Sequence, residues 1–588
     1  MSCRVYSETF LVLFALCSVT EAAEPSPPKL PKVVLIGDSI RLGYAPLVTK
    51  RLAGQAVVVS PKANGGDSNN VLKHLDEWII REKPDIVHFN CGLHDLKQAH
   101  KDKSYQVDRK DYEANLKQIV ARLRKETSAT LVFASTTPIV DERHAKRGAN
   151  FDRRESDVRR YNETALAVMR QAGVAVDDLH AIVERAGTEK MLGKDGTHYT
   201  AAGYERLADA VADCVHRQLI IRRARPAAAV VPDAEAGERY RKNEAERDAL
   251  VPRVYKSLKV PEFAVPANAA EWGERRSKIH KTVVQSLGDL PPRPSPQRVR
   301  LVSRELRNGY TVESVAIDNG MDGEISALLL VPDKRAKPAP AILWLHSSTP
   351  DKTQILTPHS NGGAEPLGEA FVRAGYVVLS PDACWYGERA GTGPSGSAEK
   401  GVKEEESRFK LHLWMGRTLW GMFVRDDQIA LDYLCGRPEV DKTRIGATGM
   451  SMGSTRSWWL AAVDERIAAV VGVACLTRYQ NLIAHGQLRA HGVYYFVNGL
   501  LKHFDTEGVI ALIAPRPYLA LTGDLDAGSP ADGIKIIEAK VGGVYAALEA
   551  RDRFKNILYP NIGHTCTPEM REEMLAWFAR WLKPDKVK

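Results

Sequence analysis

Cysteine is scarce and scattered in this sequence. Two of its eight cysteines lie within the first 23 residues, and the other six form no C-x-x-C pair. This pattern indicates neither a zinc site nor a disulfide framework, and it favours buried free thiols. Nothing else in the sequence implies a metal or a cofactor. The six later cysteines are Cys91, Cys214, Cys384, Cys435, Cys475 and Cys566.

Long apolar runs are also missing. Residues 10–19 form an apolar run of ten, which is too short to span a bilayer. Arg4 stands before this run and Thr20-Glu21-Ala22 follows it, so residues 1–23 are predicted to be a secretory signal. We therefore expect a secreted or periplasmic protein with no integral membrane segment after signal cleavage.

Neither charge sign dominates, and no internal repeat is found. The net charge of +9 is small for 588 residues and is spread along the chain, so no nucleic-acid partner is predicted. The content of 44% hydrophobic and 26% charged residues is typical of globular proteins. The length indicates more than one domain.

A glycine-flanked serine organises the second half of the chain. The sequence Gly449-Met450-Ser451-Met452-Gly453 follows a strand-like run at 443–448 and precedes a segment at 455–462 that can form a helix. G-x-S-x-G between a strand and a helix is typical of the nucleophile elbow of α/β-hydrolases. A serine on so sharp a turn projects its hydroxyl above the sheet, and glycines let strand and helix pack closely.

Two later strand-like runs lead into candidate partners for Ser451. The run at 518–522 leads to Asp526 and the run at 556–559 leads to His564. Serine, then acid, then histidine is the order of the triad in this fold. Ser451 is therefore predicted to attack, His564 to take its proton and Asp526 to orient the imidazole. Asp524 remains an alternative acid.

The residues that would form an oxyanion hole follow from the same pattern. The buried-strand run at 341–345 leads into the loop that contains Ser347, where α/β-hydrolases place one N–H donor. The N–H of Met452 would supply the other donor. The glycines that the family often carries after this strand are missing. Residues 261–585 resemble the acetyl xylan esterase and dienelactone-hydrolase-like branch. The absence of propeller-like repeats argues against a prolyl oligopeptidase.

A second serine follows the first predicted strand. Residues 32–36 run into Gly37-Asp38-Ser39, and Asp195-Gly196-Thr197-His198 comes about 156 residues later. Residues 32–220 thereby resemble the SGNH, or GDSL, hydrolase family. Strands and helices alternate between these ends, which predicts a parallel sheet.

The SGNH resemblance implies roles for particular residues. Ser39 would be the nucleophile, His198 the base and Asp195 its orienting acid. The backbone N–H groups of Ser39 and Gly66 would form most of the oxyanion hole. The family's third donor is an asparagine, and His94 stands at that position here. A neutral imidazole can donate one hydrogen bond, so an active domain and a binding-only domain both stay open.

The predicted fold class is α/β with two domains. The first is a flavodoxin-like, three-layer α/β/α SGNH domain, and the second is an α/β-hydrolase domain, each with its own sheet. Residues 221–260 are expected to be a linker whose charged, helical stretch at 238–247 is an exposed face.

Both resemblances imply acyl transfer through an acyl-enzyme. The sequence thus predicts an exported serine esterase, a carbohydrate esterase that removes acetyl or similar groups from an acylated polysaccharide such as xylan. Trp414 and Trp420, in an insertion at 390–424, would stack on sugar rings or fill the core. One rival is a peptidase or amidase on the same fold. The other is a carbohydrate-binding protein whose SGNH half only tethers glycan.

Overall fold

The computed structural model describes residues 30–224, 233–321, 323–336, 338–349, 351–358 and 362–582. The predicted signal at 1–23 lies outside these ranges, as do residues 225–232 of the predicted linker. Within the described ranges, no helix combines the length and apolar character needed to cross a membrane.

The first domain is built on a parallel sheet. Its strands are β1 (Lys32–Ile36), β2 (Val57–Val59), β3 (Ile86–Phe89), β4 (Gln98–Ala99), β5 (Thr130–Ala134), β6 (Phe151–Asp152) and β7 (Ala175–Asp177). Five of them pair in parallel in the order β2-β1-β3-β5-β7, and β4 pairs with β6 as a separate antiparallel ribbon. Without the ribbon this is the 2-1-3-4-5 order of flavodoxin-like folds, which confirms the predicted class.

Helices cover the first sheet in two groups. They are α1 (Ser39–Arg51), α2 (Ser68–Lys73), α3 (Leu75–Trp78), α4 (Arg109–Glu126), α5 (Asp141–Ala145), α6 (Glu155–Ala172), α7 (Leu179–Ala186), α8 (Thr188–Met191) and α9 (Ala201–Arg223). Helices α2, α4 and α6 pack together, and α1 and α7 pack against α9. Two helix groups and one sheet give the three-layer α/β/α arrangement.

The second domain continues with a mixed sheet. Its strands are β8 (Val299–Arg307), β9 (Tyr310–Asp318), β10 (Glu324–Pro332), β11 (Ala339–Leu345), β12 (Val377–Pro381), β13 (Val440–Met450), β14 (Ile467–Val473), β15 (Tyr518–Gly523) and β16 (Phe554–Tyr559). The order is β8-β9-β10-β12-β11-β13-β14-β15-β16. The first three strands are antiparallel, and the rest are parallel with one another.

The helices of the second domain follow the pattern expected of an α/β-hydrolase. They are α10 (Ala234–Leu250), α11 (Arg253–Lys256), α12 (Ala269–Leu287), α13 (Leu367–Arg373), α14 (Val402–Trp414), α15 (Leu419–Cys435), α16 (Met452–Val463), α17 (Tyr479–Ala484), α18 (Thr506–Ala511), α19 (Ala531–Ala547) and α20 (Pro568–Leu582). Strand β11 is buried along its whole length. Apolar clusters occupy both faces of this sheet.

The two sheets are joined into one. Strand β8 pairs antiparallel with β7 on one side and with β9 on the other, so a single 14-stranded sheet runs through both domains. The sequence suggests a separate sheet for each domain. The structure differs because the unpaired N–H and C=O groups at the two sheet edges satisfy one another. The apolar core of the first domain stays a distinct cluster, and Leu301 contacts the cores of both domains.

Buried charges cross this junction. Glu305 on β8 is fully buried and accepts hydrogen bonds from Arg217 Nη2 at 3.2 Å and from Gln218 at 2.8 Å, both on α9 of the first domain. Arg307 adds a bond of 2.7 Å from its own strand. Burial raises the pKa of Glu305, but the charges of Arg307 and Arg217 outweigh it and hold the pKa below its usual value.

The predicted linker is largely helical. Helix α9 extends to Arg223, and α10 covers the charged stretch 238–247 that the sequence predicts to be a helix. The polar sequence of this linker also predicts that the two domains fold independently and that proteases cleave within 221–260.

The junction makes a prediction about stability. Arg217→Met should lower the free energy of unfolding by about 3–5 kcal/mol, because it leaves buried carboxylates with one cation fewer. Arg222→Met is the matched control on the same helix. Its partner Asp85 lies 3.4 Å away and both side chains are about one-third exposed, so the loss should stay below ~1 kcal/mol. Urea unfolding of the full chain measures the free energy of unfolding of both variants. Equal losses would contradict the claim that Arg217 balances the buried carboxylates at the junction.

Candidate active sites

Ser451 stands on a strained turn between β13 and α16. Its φ of +57° lies in the left-handed region, which costs a non-glycine residue roughly 1–3 kcal/mol. A Cβ on Gly449 would lie 2.1 Å from the carbonyl oxygen of Leu345, and one on Gly453 would lie 1.9 Å from it. Only glycine fits at either position, so both glycines let the turn pack against the end of β11.

Asp526 and His564 reach Ser451 from neighbouring strands. His564 Nε2 lies 2.8 Å from Ser451 Oγ, and His564 Nδ1 lies 2.8 Å from Asp526 Oδ2. Asp526 is buried and also accepts a hydrogen bond of 2.9 Å from the Gly528 N–H. Since both residues follow the carboxyl ends of β15 and β16, they meet where open α/β sheets form their sites.

The other candidate acid, Asp524, has a different set of contacts. It accepts a hydrogen bond of 2.6 Å from the Asn561 N–H and lies 3.4 Å from Arg241 Nη2. It therefore ties together the two loops that carry Asp526 and His564, and the imidazole bonds to Asp526.

The surroundings of His564 favour a charged ring. Burial lowers the pKa of His564, but the hydrogen bond and the charge of Asp526 outweigh burial and raise the pKa above its usual value. The side chain of His564 is nevertheless 41% exposed, so protons and water can reach the ring.

Two backbone groups lie where the sequence predicts oxyanion donors. Met452 begins α16 directly after the serine, so its N–H is one of the unsatisfied groups of a helix N-terminus. Ser347 follows β11, and its N–H makes a long hydrogen bond of 3.3 Å to the side chain of Gln354. His346 holds this loop, because its Nδ1 donates to the Ser347 carbonyl and its Nε2 accepts from the Ala383 N–H.

The first domain brings Ser39, His198 and Asp195 together in the same way. His198 Nε2 lies 2.9 Å from Ser39 Oγ, and His198 Nδ1 lies 2.6 Å from Asp195 Oδ2. Asp195 also accepts hydrogen bonds from the N–H groups of Thr197 and His198. Burial raises the pKa of Asp195, but these hydrogen bonds outweigh it and lower the pKa to about 2, so the acid is ionised at neutral pH.

His94 lies beside this trio with its tautomer fixed. Lys97 Nζ is 3.0 Å from His94 Nδ1. An ammonium group can only donate, so Nδ1 accepts and Nε2 carries the hydrogen. Burial, together with the charges of Lys97 and Arg153, lowers the pKa of His94 to about 3. The ring is therefore neutral with one N–H available, whereas the Gly66 N–H donates to Asn64 Oδ1 at 2.9 Å.

Comparison with known proteins places both halves of the chain. Residues 238–535 match the abhydrolase family. This chain belongs to the abhydrolase family. Residues 35–206 match the GDSL-like lipase/acylhydrolase family. The chain is thus a hydrolase that joins a GDSL-like domain to an abhydrolase domain, as the sequence predicts.

One relative matches about half of this chain. The protein YtaP of Bacillus subtilis (strain 168), which carries the name of a hydrolase, is 33% identical over 311 residues, or 52% of this chain and 100% of its own length.

Several solved structures resemble part of this chain. A glucuronoyl esterase from Solibacter usitatus is 20% identical with a TM-score of 0.42 and covers 55% of this chain and 99% of its own. Acetyl Xylan Esterase 1 from Thermoanaerobacterium sp. JW/SL YS485 is 16% identical with a TM-score of 0.35, covering 56% and 98%. A lipase/acylhydrolase from Enterococcus faecalis is 23% identical with a TM-score of 0.28, covering 32% and 95%. These likenesses say nothing about the substrate.

Sequence reasoning missed a histidine that supports the abhydrolase site. His491 Nε2 donates a hydrogen bond of 2.8 Å to the Gly528 carbonyl, and Gly528 in turn bonds to Asp526. The buried ring therefore holds the loop of the acid from a segment with no recognisable motif. A buried Arg456–Asp427 pair, with bonds of 2.6 and 3.1 Å, similarly fixes α16 behind the elbow.

The linker helix α10 also lies closer to this site than the sequence suggests. Arg241 Nη2 donates to Asn561 Oδ1 at 2.9 Å and lies near Asp524. The sequence treats the charged stretch as an exposed face with no further role. The stretch is mostly exposed, as predicted, and one of its arginines also contacts the loops that carry Asp526 and His564.

One group of side chains among the described residues has the spacing for a metal ion. It consists of Glu155, His180 and Glu184 of the GDSL-like domain. Arg159 pairs with both glutamates, and His180 Nε2 bonds to Glu155 at 2.8 Å. A resident arginine already supplies the positive charge, so the group is unsuited to a cation.

The two histidines should titrate far apart. His564 should protonate at a pH above ~6.5, and His94 should stay neutral down to about pH 4, because burial and Lys97 oppose its charging. Imidazole NMR of histidine-labelled protein checks this, with His94→Gln and His564→Gln assigning the signals. Asp526→Asn should lower the pKa of His564 and leave that of His94 unchanged. Titration of His94 near pH 6.5 would contradict the effect assigned to burial and to the charge of Lys97.

Proposed function

We propose that the protein is an exported serine esterase with two active sites, one in each domain. The reaction would be acyl transfer from a carboxylic ester to serine and then to water. The observation that carries this proposal is the pair of Ser–His–Asp arrangements, in which each imidazole lies within 2.9 Å of a serine hydroxyl and within 2.8 Å of a carboxylate.

In the abhydrolase domain Ser451 would attack the ester carbonyl. His564 takes the serine proton through Nε2 and later returns it to the leaving alcohol, while Asp526 accepts from Nδ1 and stabilises the imidazolium. The N–H of Met452 and that of Ser347 would stabilise the oxyanion. Water then releases the acid from the acyl-serine, with His564 as the base again.

In the GDSL-like domain Ser39, His198 and Asp195 would take the same roles. The Ser39 N–H and His94 Nε2–H are donors for the oxyanion, and the bond from Lys97 supports this orientation of the ring. The Gly66 N–H would join them when it leaves Asn64. Because the Gly66 N–H already donates to Asn64, a second candidate function also stands for this domain. In that function the domain binds an acylated glycan without cleaving it.

The carbohydrate substrate rests on the sequence resemblance to acetyl xylan esterases, and one surface residue agrees with it. Trp414 is 91% exposed at the end of α14, whereas Trp420 is fully buried in the core. An exposed indole offers a flat apolar face on which a sugar ring can stack. Activity on aminoacyl anilides without activity on 4-nitrophenyl acetate would favour the peptidase or amidase reading instead.

The abhydrolase triad gives a matched test in a Ser39→Ala background. Ser451→Ala and His564→Ala should each abolish hydrolysis of 4-nitrophenyl acetate, because nucleophile and base act as a unit. Asp526→Asn should lower kcat by about 10⁴-fold, the loss known for an orienting acid. Asp524→Asn is its control and should retain most activity. Inactivation by Asp524→Asn, with Asp526→Asn neutral, would reverse the assignment of the acid.

His94 is tested in a Ser451→Ala background, where hydrolysis reports on Ser39. His94→Ala should lower kcat by up to ~10²–10³-fold with little change in KM, because an oxyanion donor acts in the transition state. His94→Asn should keep or raise activity. His216→Ala, on α9, is the control. Full activity of His94→Ala would show that the imidazole is not the donor, and inactivity of every version would favour the binding-only domain.

A further inference from the structure

The small ribbon of β4 and β6 carries two cations to the GDSL-like site. Gln98 pairs with Asp152 and Ala99 with Phe151. Lys97 directly precedes β4 and Arg153 directly follows β6, so the register makes them neighbours across the ribbon. The ribbon is separate from the main sheet, and Gln98 also forms an isolated bridge with Tyr105.

Both cations contact one aromatic ring. Lys97 Nζ lies 5.1 Å from the centre of the Phe151 ring, and Arg153 Cζ lies 5.0 Å from it. Cation–π contacts at this distance are attractive, so the ring holds two like charges side by side. Such an arrangement repels itself unless a negative charge compensates it.

The cations belong to the surroundings of Ser39. Lys97 bonds to His94, and the charge of Arg153 acts on the pKa of His94, after burial and Lys97. Arg153 also opposes the rise that burial causes in the pKa of Asp38, the residue before Ser39. A substrate at Ser39 would therefore meet both positive charges.

Among the described residues, Arg153 is buried without a hydrogen-bond or ion-pair partner. It is 6% exposed, its Nε is enclosed with no hydrogen-bond acceptor, and in the described part of the chain no carboxylate lies within ion-pair distance of it. Burial lowers the pKa of Arg153 to about 10, so it stays charged at neutral pH. The more deeply buried Arg41, Arg217, Arg425 and Arg456 all donate hydrogen bonds.

The carboxylates of Asp38 and Asp195 attract the charge of Arg153, but in the described part of the chain neither forms a hydrogen bond or an ion pair with it. The protein thus leaves a buried N–H donor of this guanidinium unpaired, which costs free energy. We propose that Arg153, assisted by Lys97, is a carboxylate-binding subsite that makes the GDSL-like site prefer esters carrying a negative charge. This inference rests on the proposed esterase function of Ser39. A guanidinium suits a carboxylate-binding subsite, because the planar guanidinium fork can bind a carboxylate through two parallel hydrogen bonds.

The carboxylate could belong to the acyl group or to the alcohol, and two substrate pairs distinguish these sources. For the acyl group, 4-nitrophenyl hydrogen glutarate is compared with the neutral 4-nitrophenyl pentanoate. For the alcohol, 4-acetoxybenzoate is compared with 4-acetoxybenzamide. The full chain carries Ser451→Ala, so that Ser39 alone hydrolyses each ester.

Arg153→Gln should lower kcat/KM for the preferred anionic ester by roughly 10- to 100-fold, the worth of a hydrogen bond between charged groups. The neutral partner should change less than about threefold. Arg153→Lys should restore part of the preference, because it keeps the charge without the fork. Arg122→Gln is the control, since Arg122 pairs on an exposed face with Asp76 and Glu126. Equal losses on neutral and anionic esters would mean a structural role and overturn the proposal.

Binding separates this inference from the esterase function. Protein with Ser39→Ala and Ser451→Ala should bind uncleaved 4-nitrophenyl hydrogen glutarate or 4-acetoxybenzoate in calorimetry, and Arg153→Gln should weaken this about 10-fold or more. Arg153-dependent binding without hydrolysis by the Ser39 protein would retain the subsite and reject the esterase function. Hydrolysis of neutral esters with no Arg153-dependent preference would retain the function and reject the subsite.

Discussion

The abhydrolase site depends on one close contact, that of the turn at Ser451 with the end of β11. Gly449 and Gly453 both approach the Leu345 carbonyl more closely than any Cβ could. This contact fixes the turn, and the turn holds Ser451 at a positive φ, where its hydroxyl can meet an imidazole. Asp526 and His564 need only follow the next parallel strands to arrive at the same place. A side chain at either glycine would displace Ser451 from its hydrogen bond with His564.

The GDSL-like domain reaches the same constellation with a different device. One short loop supplies both Asp195 and His198. The carboxylate of Asp195 accepts hydrogen bonds from two backbone N–H groups and from the imidazole. These bonds orient the acid without a second strand, so the domain's precision lies in a loop of four residues. In both domains the acid accepts a hydrogen bond from Nδ1 of the histidine, and this keeps the histidine in the tautomer whose Nε2 can accept the serine proton.

Much of this arrangement is predictable from sequence, because strand-ending motifs carry their own geometry. G-x-S-x-G, the acid after β15 and the histidine after β16 each mark a strand end. The alternation of strands and helices predicts the parallel sheet of the first domain, and the SGNH resemblance implies its flavodoxin-like class. Three features were not predictable. The β7–β8 pairing depends on two edges that meet only in space, and His491 acts through a carbonyl from a segment without a motif. In the sequence Arg153 looks like an ordinary surface arginine. Only its burial without a hydrogen-bond partner among the residues that the structure describes marks it as a candidate binding residue.

The central claim is that one chain carries two serine nucleophiles. Treatment of the full-length protein with a fluorophosphonate, followed by peptide mapping by mass spectrometry, tests it directly, since the reagent modifies serines that a neighbouring histidine activates. The account predicts labels on Ser39 and on Ser451, with the first lost in His198→Ala and the second in His564→Ala. Labelling of neither serine, or labelling that survives both histidine changes, would contradict it.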